Sequence, residues 1–132
     1  MSRLAVIWDP ATGRIMKTVG GSEQVIRQNM PPGMRRLHVP APVNEALFRI
    51  ERVGRPRIIP RPAMPVTLPS VVTIGEPISL DVPAGAEVRV ECDHLGLADA
   101  DGVELVFESL GLFLVEVELW PYVTLLARIE VR

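Results

Sequence analysis

Residues 103–120 read Val-Glu-Leu-Val-Phe-Glu-Ser-Leu-Gly-Leu-Phe-Leu-Val-Glu-Val-Glu-Leu-Trp, and their apolar positions fall into two sets of constant parity. Val103, Leu105 and Phe107 make one set; Phe113, Val115, Val117 and Leu119 make the other. Strand side chains alternate between faces, so each set marks a buried face. With residues 109–111 as a place to reverse, the pattern predicts a hairpin whose two apolar sets share one interior. Glu104, Glu108, Glu116 and Glu118 then face water. Leu112, Leu114 and Trp120 share the parity of Glu116 and Glu118, so they are predicted on the outer face beside Tyr122. An outward group of this kind has the composition of an interface hot spot.

The remaining chain divides into short elements. Residues 3–8 predict a strand, Asp9-Pro10-Ala11-Thr12-Gly13 a turn, and residues 14–19 the returning strand, ended by Gly20-Gly21. Ser22 is placed to cap a short helix over 23–28 with Glu23 in its first turn. Extended segments follow at 36–39, 46–53 and 57–59, with a reversal at Gly54. Pro56, Pro60, Pro62, Pro65 and Pro69 occupy five of fourteen positions, a density that blocks helix and favours stiff extended chain. Residues 60–69 are therefore read as a linker between a small amino-terminal lobe, 1–59, and a carboxy-terminal lobe, 70–132. The second lobe alternates as a meander of strands at 71–74, 78–82, 86–92, 103–108, 112–119 and 123–131. Pro83-Ala84-Gly85 supplies one turn and Asp101-Gly102 a hairpin dipeptide. This spacing predicts a mainly all-β protein whose second lobe is a β-sandwich, with a core thin enough to need further support.

Length and composition set bounds. A chain of 132 residues with 48% hydrophobic content folds, and no apolar run approaches the roughly 20 residues that span a bilayer, so no membrane role is expected. The amino terminus meets Asp9 after five apolar residues, too short a run for a secretory signal. A single cysteine, Cys92, shares the parity of Val88 and Val90 and is expected as a small buried hydrophobe. The net charge of −2 conceals a division: residues 1–62 carry eleven Arg and Lys against four carboxylates, a net +7, and residues 63–132 carry three against twelve, a net −9. Opposite lobes of this kind either neutralise each other within the chain or dock between copies, the second arrangement building rings or stacks.

Candidate chemistry is sparse. Asp93, His94, Asp99 and Asp101 fall in one long loop, 93–101, but they supply only a fragment of a calcium loop, and His94 and His38 share no ligand spacing. No serine or cysteine stands in a nucleophile motif, and Gly20-Gly21 lacks the lysine of a phosphate loop. The pattern predicts neither an enzyme nor a cofactor or metal site. Arg35, Arg36, Arg49, Arg52, Arg55 and Arg57 form a basic group that suits acidic protein surfaces. Nucleic acid is not the expected partner, because the first lobe offers only Trp8 and Phe48 for stacking and the second lobe repels phosphate. The candidate interface is thus Leu112, Leu114, Trp120 and Tyr122 together with those six arginines.

Five stretches carry a resemblance: Trp8-Asp9-Pro10-Ala11-Thr12-Gly13-Arg14-Ile15, Arg61-Pro62-Ala63-Met64-Pro65, Pro83-Ala84-Gly85-Ala86-Glu87-Val88, Gly102-Val103-Glu104-Leu105 and Trp120-Pro121-Tyr122. In this order they resemble small proteins encoded among the tail and fibre genes of long-tailed bacteriophages and prophages. The resemblance implies an immunoglobulin-like or transthyretin-like second lobe. It also implies a non-enzymatic virion component of the tail, baseplate or fibre-attachment region, made in the host cytoplasm and bound to other virion proteins in a symmetric assembly. The alternatives are a capsid decoration protein and a carbohydrate-binding module for the host surface that stacks sugars on Trp120 and Tyr122.

Overall fold

The computed structural model describes residues 3–91, 93–99 and 102–132, and for 93–97 chiefly the backbone. The chain is mainly β, with one short helix among the described residues. It divides into two compact units, Met1–Arg61 and Pro62–Arg132. No helix among the described residues is long and apolar enough to cross a membrane.

The first unit is built on β1 (Arg3–Trp8), where Ala5, Val6, Ile7 and Trp8 are all buried. A run of apolar residues without alternation is what a strand covered on both faces requires. β2 (Ile15–Gly21) pairs with one edge of β1 and β3 (Arg35–Val39) with the other, both antiparallel. β2 continues through Gly20 and Gly21, which pair with Leu4 and Arg3, so the two glycines belong to the strand expected to end before them. Helix α1 (Glu23–Gln28) covers one face of the sheet: Ile26 packs against Ala5 and Ile7. Its cap is the expected one, with the Ser22 hydroxyl accepting from the Val25 amide at 3.3 Å. The other face carries the hairpin of β4 (Phe48–Glu51) and β5 (Arg57–Pro60), whose Ile50 joins Val6, Trp8 and Ile15 in a second cluster.

The turn after β1 locks these layers together. The Ile50 amide donates to the Gly13 carbonyl at 2.8 Å, while Gly13 adopts φ +82° and lies so close that a Cβ there would run into the Ile50 carbonyl oxygen. Gly13→Ala is therefore expected to cost about 1–3 kcal/mol through backbone strain, measured as a lower denaturation midpoint at unchanged m. A neutral result would show that β4 shifts freely against the turn.

The second unit is a sandwich. β6 (Val71–Val72), β7 (Ile78–Leu80), β8 (Glu87–Val90), β9 (Asp93–Leu97), β10 (Val103–Leu105), β11 (Gly111–Glu118) and β12 (Leu125–Val131) form a five-stranded sheet of order β6-β12-β11-β8-β9 and a two-stranded sheet of β10 and β7. All pairings are antiparallel except β6 with β12. Leu80 and Leu105 from the smaller sheet meet Val88, Val115, Val117, Ile129 and Val131 from the larger one in a single core.

Three expectations are corrected here. β10 and β11 are not partners in a hairpin: β10 pairs with β7, and residues 106–110 carry the chain from one sheet to the other. Both arrangements turn the same apolar sets inward, so parity alone does not separate a hairpin from an arch. The proline-rich segment 60–69 is not a spacer. Pro60 belongs to β5, the Arg61 amide donates to the Leu47 carbonyl at 2.8 Å, and Pro62 accepts from the Val123 amide at 2.8 Å. Met64 is buried in the sandwich core, with Val66 and Leu68 packed against it. Proline limits the segment to extended chain, and its intervening apolar residues find a core to fill. The stretch 93–101 expected as a long loop holds β9, paired to β8. Cys92 and Asp101 lie outside the described residues.

Candidate interaction surfaces

The outer face of the five-stranded sheet follows from register. Phe113, Val115 and Val117 point inward opposite Ile129, Ala127 and Leu125, which leaves Leu112 opposite Glu130, Leu114 opposite Arg128 and Glu116 opposite Leu126 on the outside. On the far side of β12, Glu130 pairs with Val71, so Leu112, Glu130 and Val71 make one row across three strands. Leu112 is 64% exposed, Leu126 59%, Val71 44% and Leu114 37%. Leu114 and Leu126 sit diagonally across the β11–β12 pair, a separation of about 7–8 Å over which long side chains still touch. The result is an apolar area of four branched side chains, interleaved with Arg128 and Glu130, beside a concavity of about 290 Å³ lined by Glu91, Leu112, Leu114 and Arg128. Exposed apolar groups in a row with a charged rim are the anatomy of a protein interface.

The other end of the same face is ionic. Arg89 on β8 stands opposite Glu116 on β11. Its guanidinium bridges Glu87 at 2.6 Å, Glu116 at 2.9 Å and Glu118 at 3.0 Å. The hydrogen bonds it donates to Glu118 and Glu116 hold its pKa above the ordinary arginine value despite partial desolvation, so it stays charged at every working pH. Glu116 and Glu118, expected as independently solvated charges, are therefore joined through one cation, because β8 delivers it between them. Arg89→Ala is expected to lower the melting temperature, and by more at low salt than at high salt, since it leaves three carboxylates facing one another. Arg89→Lys, which keeps the charge but not the fork, should recover part of the loss. Equal melting curves for all three proteins would show that the ion cluster contributes nothing to stability.

Trp120 and Tyr122 lie beyond the end of β11, where strand parity no longer assigns a face. Both are half-buried, and Tyr122 packs against the sandwich core. Of the four carboxy-terminal candidates, Leu112 and Leu114 belong to the exposed sheet face.

The six candidate arginines sit on β3 and around the β4–β5 hairpin of the first unit. Arg36 pairs with Glu23 of α1, and Arg52 donates to the carbonyls of Pro10 and Ala11, so these two brace the fold. Arg49 is half-buried, with its Nε bonded to no acceptor. Arg35, Arg55 and Arg57 are exposed.

The first unit also contains an apolar groove that periodicity did not indicate. Val39, Pro40, Pro42, Val43, Phe48 and Ile58 line about 410 Å³, with Asn44 the polar exception. Thr18 fixes one wall: its hydroxyl accepts from the Val43 amide at 3.3 Å and donates to the Val43 carbonyl at 3.4 Å. Pro40 and Pro42 keep that wall from joining the β ladder, and the apolar segment lies open beside the hairpin. The available signal was the composition of residues 39–43, apolar without period.

Among the described residues no group of three or more His, Cys, Asp and Glu side chains stands together to hold a metal ion. No protein-family model, curated protein or solved structure matches the chain.

Proposed function

We propose that this protein is a non-enzymatic structural component that joins neighbouring subunits in the tail, baseplate or fibre-attachment region of a long-tailed phage particle. The observation that carries the subunit-joining role is the outward group of Leu112, Leu114, Leu126 and Val71, because apolar side chains in register on a sheet face lose unfavourable hydration when a partner covers them. The phage setting rests on the resemblance of the five sequence stretches named above. The opposite net charges of the two units support the same reading, since complementary potentials steer subunits into register.

The test is to separate heads from tails of particles produced by the encoding genome and measure the protein in each by mass spectrometry. Recovery in the tail fraction at a constant ratio to other tail proteins is expected. Recovery in heads alone would make it a decoration protein, and absence from both fractions would overturn the reading.

A further inference from the structure

We infer that the leucine face of one copy seats in the apolar groove of the next, so that the chain assembles head to tail. This rests on the subunit-joining reading and names the partner as a second copy of the same chain. The leucine face belongs to a unit with three cationic side chains against twelve carboxylates, and the groove to a unit with eleven against four. Two leucine faces meeting symmetrically would bring net −9 against net −9, whereas face against groove brings −9 against +7 and buries apolar lining on both sides. Electrostatics thus favours the heterologous contact. Each docked copy leaves one face and one groove open at the ends, and growth continues until a ring closes or a stack terminates.

Two exposed positions give a direct test. Leu112→Lys places a cation on the face, where it meets the basic unit of the neighbour; Ala41→Glu places a carboxylate at the groove, where it meets the acidic unit. Each variant retains one intact surface. In sedimentation at low ionic strength the wild type is expected to run as species larger than a dimer that shrink as salt rises. Each variant alone is expected to be monomeric, with association weakened at least tenfold. An equimolar mixture is expected to stop at a dimer, since the intact face of the Ala41→Glu chain meets the intact groove of the Leu112→Lys chain. Melting curves establish that both variants fold, and Leu126→Lys or Pro42→Glu replaces either one that does not.

A wild type that stays monomeric at every salt overturns the inference. So does an Ala41→Glu chain that assembles like the wild type, because its leucine face would then be meeting something other than the groove. A monomer recovered in phage tails would sink the self-docking and leave the subunit-joining reading intact, while an assembling chain absent from particles would do the reverse.

Discussion

A Phe107→Ala chain is expected to lose about 3–5 kcal/mol of stability, the range for removing a buried aromatic ring from a core that only partly collapses around the cavity. Phe107 is 7% exposed. Its ring centroid lies 5.1 Å from that of Phe113, with the planes inclined at 45°, a tilted contact that adds to simple burial. The two rings flank the passage from the smaller sheet to the larger one, so the contact clasps the layers where the chain crosses. The Phe107 carbonyl also accepts from the Gly75 amide at 2.9 Å, tying the turn after β6 to the same point. Urea denaturation followed by far-ultraviolet circular dichroism measures the loss. A change below about 1 kcal/mol would show that Phe107 is not a cross-layer contact at all.

Ile7→Ala is expected to cost about 2–5 kcal/mol. Ile7 is fully buried between the sheet and α1, in the cluster with Ala5 and Ile26. A helix of six residues has almost no stability of its own, so its packing against Ile7 is what holds it in place. The first unit has about 60 residues, and at roughly 0.05–0.15 kcal/mol per residue its whole stability is on the order of 3–9 kcal/mol. The substitution therefore removes a large share. Fluorescence of Trp8, read in a Trp120→Phe background, reports the unfolding of this unit. A midpoint equal to that of the unsubstituted background would mean that the helix side of β1 bears little of the load.

These two positions also mark what the sequence disclosed and what it withheld. Local signals were legible: Ser22 before an acidic first turn gave α1, Gly54 gave the β4–β5 reversal, and alternation from Phe113 to Val117 gave the inward face of β11. Long-range partners were not. Phe107 has the same parity whether its strand folds back beside β11 or arches over it, because parity records which face is buried and not which strand lies alongside. Arg89 shows a related limit, since the meaning of Glu116 and Glu118 depended on a cation 27 and 29 residues away. The outward leucines on β11 were readable, but Leu126 and Val71 join them only through pairings with Glu116 and Glu130. The groove escaped because Val39-Pro40-Ala41-Pro42-Val43 has neither helical nor strand period, and hydrophobic period is the signal that sequence reading relies on.

The anchoring of residues 62–69 changes where the molecule comes apart. A fragment begun at Ser70, the boundary that proline content suggests, would lack Met64 from its core and the Pro62 carbonyl that accepts from Val123. It would expose the surfaces of Val66 and Leu68's former neighbours as well. Dissection of the chain into separately produced halves therefore belongs at the Arg61–Pro62 bond, where each cut end keeps the hydrogen bonds and side chains that complete its own unit.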